Sequence, residues 1–183
     1  MTAPESLQEP RAMVVFESMF GNTERVARAV ARALEAAGVP TRVSEVSATP
    51  AELPSSVELL VVGAPTHAFS LSRPKTRIEA VRQGADDSKV SIGMREWLET
   101  VCPPADRSVH VAVYDTRAKK VRRLPAAAGP SAARLARHRG FSPVERPVAF
   151  LVDDLQGPLA EGEIDRATSW GETLVARLGT LSR

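Results

Sequence analysis

The run VELLVVGAP, Val57–Pro65, constrains the fold more than any other stretch of the chain. It is apolar without alternation, as a strand is when both of its faces are covered. Strands of that kind belong to parallel sheets, whose crossover helices pack on either side. Four further runs read as strands: Ala12–Phe16, Arg42–Val46, Val109–Asp115 and PVAFLVDD, Pro147–Asp154. Helical spacing fills the gaps. The first helix carries Val26, Val30, Ala33, Leu34 and Ala37 on one face, with Gly38 and Pro40 as its stop. Others are expected at Pro74–Gln83, at Ser91–Val101 burying Met94, Trp97, Leu98 and Val101, and near Ser131–Arg139, ended by Gly140. The last runs about Glu163–Leu178 and buries Ile164, Ala167, Gly171, Leu174, Val175 and Leu178. Strands alternating with helices imply an α/β fold with helices on both sheet faces and right-handed crossovers. Ligands in such folds bind beyond the carboxyl ends of the strands, where the winding reverses.

Composition narrows the functional classes. A chain of 183 residues reads as one domain, taken as 11–183 behind a flexible tail at 1–10. The tail has neither an apolar stretch nor a basic start, so it is not read as a signal peptide. Cys102 is the only cysteine, which excludes an internal disulfide and a multi-cysteine metal site. A net charge of +2 gives no argument for nucleic acid or membrane partners. No apolar run approaches the ~18 residues of a membrane span. The expectation is a cytoplasmic protein without membrane insertion.

The segment ESMFGNTERVARAV places Ser18–Thr23 between the first strand and the first helix. The first amides of a helix lack intrahelical acceptors, and the helix dipole makes that end positive. An anion can sit there. Gly21 lets the backbone turn and approach closely, and Ser18, Asn22 and Thr23 offer side-chain hydrogen bonds. The competing reading is structural: Asn22 or Thr23 caps the helix and Gly21 makes the turn. Other phosphate loops do not fit. The Walker lysine and the G-x-G-x-x-G pattern are absent, and Ser108 stands where C-x5-R would need arginine. The third strand ends in Gly63-Ala64-Pro65-Thr66, without the aspartate of a receiver domain.

This loop resembles that of the flavodoxin-like superfamily, whose usual form is hydroxyl–x–hydroxyl–glycine–x–hydroxyl. Ser18, Gly21 and Thr23 match, and Phe20 replaces the middle hydroxyl. The serine–methionine–aromatic–glycine variant also resembles the flavodoxin modules of flavodiiron proteins and the quinone reductases of the tryptophan-repressor-binding-protein family. The resemblance implies a flavodoxin-like three-layer sandwich with a five-stranded parallel sheet in order 2-1-3-4-5. It also implies FMN, with its phosphate at Ser18, Met19, Phe20, Gly21, Asn22 and Thr23.

Two further loops follow from it. GAPTHAFSLSRP, after the third strand, resembles the second flavin-contacting loop of these families. Pro65, Thr66, His67, Ala68 and Phe69 would line the polar edge of the isoalloxazine. The structural alternative makes Phe69 a core plug and His67 a surface residue. After the fourth strand come Asp115, Thr116 and Arg117, where the family often has a glycine-rich or aromatic loop. Thr116 and the backbone would touch the ring or the ribityl chain, while Asp115 would contribute or simply bind Arg117. Lys119, Lys120, Arg122 and Arg123, with Arg73, Lys75 and Arg77, are expected to make the rim basic, although the run also reads as a solvated loop.

The function implied is an FMN-binding redox protein, either an electron carrier or a small NAD(P)H-linked quinone reductase. Its partner would be a redox protein, a nicotinamide nucleotide or a quinone, and a basic rim suits an acidic partner or nucleotide phosphates. No catalytic acid, base or nucleophile stands out, and none is required where the cofactor supplies the electron chemistry. The alternative is a non-enzymatic binding protein of the same fold with a weakened or lost flavin site, motivated by Phe20 and the unusual third loop.

Overall fold

The computed structural model describes residues 9–123 and 126–181. Most of the expected tail, residues 1–8, lies outside the described residues, as do residues 124–125 of the third loop. The strands are β1 (Ala12–Phe16), β2 (Thr41–Glu45), β3 (Leu59–Pro65), β4 (His110–Ala118), β5 (Ser142–Pro143) and β6 (Val148–Val152). The helices are α1 (Asn22–Ala36), α2 (Pro74–Arg82), α3 (Met94–Thr100), α4 (Ala128–His138) and α5 (Glu163–Leu181).

All strand pairs are parallel, and the order is β2-β1-β3-β4-β5, with β6 also pairing with β4. The expected order 2-1-3-4-5 therefore holds, with the fifth position shared by two strands. Strand alternation divides the core into two layers. Val14, Phe16, Leu59, Val61 and Tyr114 face α1 and α5. Met13, Val15, Leu60, Val62 and Val113 face α3 and α4. The unbroken apolar runs are thus apolar because each face has its own helices. α1 and α5 touch closely at Gly171, where an added Cβ would stand 2.7 Å from the Ala33 Cβ.

Several expectations need correction. β4 advances from Val111 to Tyr114 while its neighbour advances from Pro143 to Val148, so the outer strand carries two extra residues and breaks into β5 and β6. β4 itself runs past Asp115 to Ala118, because Thr116, Arg117 and Ala118 pair with Phe150, Leu151 and Val152. α3 starts at Met94, not Ser91. Gly93 is its N-cap, and the carboxylate of Glu96 accepts the Gly93 N–H at 2.9 Å. Ala37 lies beyond α1 and is exposed, whereas Trp170 of α5 is buried alongside the anticipated Ala167, Leu174 and Leu178.

Candidate functional site

Ser18–Thr23 connects β1 to α1 at the carboxyl edge of the sheet, beside the ends of β3 and β4. Gly21 is the N-cap of α1 with φ 84°. That left-handed conformation favours glycine, and an added Cβ would meet nothing within 4 Å. Buried Ser18 accepts the Glu24 N–H on its Oγ at 3.3 Å. Among the described residues, no acceptor is paired with the amides of Phe20, Gly21, Asn22 or Thr23. The positive end of α1 thus presents a row of unused donors.

Thr23 is buried, and its hydroxyl shares a hydrogen bond of 2.8 Å with that of Thr116. One hydroxyl hydrogen bridges the pair, so the other stays available to a ligand. The Tyr114 hydroxyl donates to the Thr23 carbonyl at 2.8 Å. Burial, with the charge of Glu24 adding, pushes the Tyr114 phenol well above its ordinary value, so it remains a donor. Its ring lies across Gly63 of β3, where an added Cβ would stand 2.1 Å from Cζ. Phe150 and Trp170 pack edge-on against that ring at 5.7 and 5.8 Å.

The second loop is a tight turn. His67 and Ser70 exchange backbone hydrogen bonds of 2.9 and 3.0 Å, with Ala68 at φ 45° and Phe69 at φ 64°. Two successive non-glycine residues in the left-handed region carry strain of about 1–3 kcal/mol each, a pattern that clusters at functional sites. The turn holds the Phe69 ring outward, 50% exposed, so it is not a core plug. The Thr66 N–H donates to the Thr116 carbonyl at 2.9 Å, tying the second loop to the third. Burial holds His67 below its ordinary pKa, with the charge of Arg77 adding and a hydrogen bond involving the Thr76 backbone opposing. The imidazole is therefore neutral at pH 7.

Asp115 is wholly buried and faces α4. Arg117 donates to its carboxylate at 2.7 and 2.5 Å, and the Gly129 N–H, in the first turn of α4, donates at 3.0 Å. A Cβ at Gly129 would fall 2.4 Å from Asp115 Oδ2, so this glycine admits the carboxylate. Asp115 thus anchors Arg117 and α4, while Thr116 and Arg117 border the open space.

The basic rim is smaller than the sequence suggests. Arg77 is 1% exposed, bonded to Glu96, Ser72 and the Val90 carbonyl, because α2 turns it into the protein. Lys119 and Lys120 pair with Asp153 and Asp154 at 2.5 and 3.7 Å. Arg73, Lys75, Arg122 and Arg123 remain exposed.

Three adjoining cavities open here. One of about 60 Å³ lies among Ser18, Asn22, Thr23, Thr66 and Thr116. A second, about 230 Å³, reaches past Phe20 and His67 to Ala80 and Gln83 of the α2 region. A third, about 320 Å³ and mostly apolar, lies between the Ala68–Phe69 turn and Arg117–Val121. Thr66 and Leu155 border all three. Met19 and Pro65 also line the smallest. Leu155 was not anticipated; its one signal is a lone apolar residue in the turn-forming DDLQGP.

Behind the first loop sits a second unanticipated residue. Glu17 is 1% exposed; its Oε2 accepts the Met94 N–H at 2.8 Å, and among the described residues Oε1 has no hydrogen-bond partner. Burial raises its pKa, with Ser72, the Met94 amide and Arg77 opposing and the charge of Glu96 adding. Lys89 donates to the Ser18 carbonyl at 2.8 Å and steadies the loop from the same side. Among the described residues no group of histidine, cysteine, aspartate or glutamate side chains is placed to hold a metal ion, and no helix is long and apolar enough to cross a membrane.

The flavodoxin family model matches residues 14–87, which hold the first loop and all of the second. No curated protein matches the chain in sequence. Solved structures do match its fold. A flavodoxin from the domain Archaea superposes with a TM-score of 0.65 at 17% identity, covering 92% of this chain and 98% of that one. Flavodoxin 2 from Bacillus cereus gives 0.65 at 14% identity, with coverages of 91% and 99%. The flavodiiron protein from Giardia intestinalis gives 0.60 at 16%, covering 93% of this chain but 37% of its own longer one. At these identities the likeness establishes the fold.

Proposed function

From a chain that has the flavodoxin-like fold, we propose that it is an FMN-binding redox protein. The observation that carries this reading is the row of unused amides at Phe20–Thr23, bordering a small cavity with the Ser18 and Thr23 hydroxyls. These groups fit a 5′-phosphate. Gly21 leaves the approach open. Arg117 borders the same cavity, but its charge is balanced by Asp115, so the phosphate is held mainly by neutral donors and the helix end. Phe20 costs one hydroxyl contact without filling the cavity.

Bound FMN supplies one- and two-electron chemistry. The chain's residues bind and orient it. Ala68 and Phe69 on one side and Arg117–Val121 on the other offer the apolar space suited to a ring. Thr66 borders both the ring space and the phosphate space, Thr116 borders the latter, and both can bond the polar chain that joins ring to phosphate. Neutral His67 can donate or accept a hydrogen bond at the edge. The exposed cations Arg73, Lys75, Arg122 and Arg123 favour an acidic redox protein or the phosphates of NAD(P)H as the electron partner.

Titration of purified protein with FMN tests the reading. The expected result is saturable binding at one FMN per chain, with near-UV and blue absorption bands and an altered flavin fluorescence. Absence of saturable binding would select the alternative of a flavodoxin-fold binding protein that has lost its flavin.

A further inference from the structure

We infer that Asp153–Pro158, the loop after β6, is a fourth wall of the flavin site, and that Leu155 and Gln156 set how slowly the cofactor leaves. The inference rests on the FMN reading above. The loop is closed at its base, where the Asp153 N–H donates to the Pro158 carbonyl at 2.9 Å. From there it is tied to the first loop, to the end of α2 and to the segment after β4. Asn22 of the first loop donates through Nδ2 to the Gln156 carbonyl at 2.9 Å. The Gln156 side chain donates to the Gln83 carbonyl at 3.0 Å, at the end of α2. Lys119 and Lys120, after β4, pair with Asp153 and Asp154. The fit against Asn22 is close: a Cβ at Gly157, where φ is 108°, would stand 2.6 Å from Asn22 Nδ2.

Leu155 is 74% exposed, yet it borders all three cavities. A single exposed leucine needs no explanation. A leucine held over the junction of a polar, phosphate-sized space and two larger ones has a partner to gain when those spaces fill. The ties that hold the loop down are solvent-exposed, and exposed ion pairs are individually weak. The loop therefore lifts at little cost to admit the ligand. Once the ligand is in, the Leu155 side chain gains apolar contact, and lifting becomes harder. The device acts on release more than on entry.

The test measures FMN release by flavin fluorescence after dilution, for the full chain and for Leu155→Ala, Gln156→Ala and Leu155→Met. Release should be about tenfold faster in Leu155→Ala, the effect of losing about half of a leucine's burial. Gln156→Ala should release a few-fold faster, and Leu155→Met should stay near the parent. High salt should speed release from the parent chain by weakening the lysine–aspartate pairs. Melting of the FMN-free proteins should be the same in all four, since both side chains are exposed. Amide exchange at Leu155–Gly157 should slow when FMN is added. Release from Leu155→Ala within twofold of a parent chain that binds FMN would overturn the fourth wall alone. A parent chain that takes up no FMN would overturn the cofactor reading and this inference with it.

Discussion

Replacing Gly63 by alanine should damage both the core and the first loop. The new Cβ would stand 2.1 Å from Tyr114 Cζ and 2.2 Å from its hydroxyl oxygen. The ring is fully buried, held edge-on by Phe150 and Trp170 and tied to the Thr23 carbonyl. It must move or the strands must part. Overpacking costs about 1–3 kcal/mol. A disrupted edge-to-face pair costs about 0.5–1.5 kcal/mol. A broken buried hydrogen bond that leaves a hydroxyl donor unsatisfied costs about 1–3 kcal/mol. A total near 3–5 kcal/mol corresponds, for a chain of this size, to a fall in Tm of about 6–20 °C. Thermal unfolding by circular dichroism measures it. Tyr114→Leu in the same background should recover part of the loss, a non-additivity expected of residues in contact. FMN affinity should fall in Gly63→Ala at temperatures where the protein is folded, because Tyr114 positions Thr23. A Tm within 2 °C of the parent would refute the reasoning.

Gly21→Val should weaken FMN binding strongly while costing the fold about 1–2 kcal/mol, because the residue must stay left-handed but meets no protein atom; an FMN titration of the folded variant checks this, and unchanged affinity removes the first loop as the phosphate site. Glu17→Gln should gain stability relative to the parent as pH rises. Burial lifts the native carboxyl above its ordinary value of 4.5, so the native state holds its proton more tightly than the unfolded chain. The parent therefore loses stability from about pH 4.5 upward until its native pKa is passed, and the glutamine variant does not; urea midpoints at pH 4 and pH 7 that move in parallel would contradict this. Reversing Arg122 and Arg123 to glutamate should slow electron transfer with an acidic partner several-fold at low salt and leave FMN affinity unchanged. The difference should shrink above 0.1 M salt, where the Debye length is about 10 Å; stopped-flow rates equal in both proteins at both salts would reduce the run to a solvated loop.

What was legible in the sequence was whatever depends on neighbours in sequence. Val57–Pro65 read as a doubly covered strand because it is apolar but for Glu58, and the structure covers both of its faces. The Ser18–Thr23 loop was legible from one glycine between hydroxyl residues. What stayed hidden depends on pairing across the chain. Asp115–Arg117 looked like the end of a strand because it is polar, yet β4 continues through it because Arg117 and Gly129 satisfy the carboxylate. Arg77 looked like a rim cation because its partner, Glu96, lies on another helix. Lys119 and Lys120 looked free because Asp153 and Asp154 are distant in sequence. Leu155 carried no periodic signal, since its neighbours are cavities built by three other loops.

The break between β5 and β6 also bears on how the molecule meets other copies of itself. A parallel sheet that stops at a long straight strand offers the next chain a row of free amides and carbonyls, which invites edge-to-edge pairing. Here the outer position is cut after Pro143 and resumes at Val148, with the two extra residues kinking the chain between them. Pro143 and Pro147 contribute no N–H to that edge, and Glu145 is drawn back toward Arg177 of α5, 3.2 Å away. Among the described residues, no uninterrupted ladder longer than the five residues of β6 is left on that side. The interruption that adds β5 ahead of the expected fifth strand thus leaves another chain only a short ladder to pair with at the sheet's terminal edge.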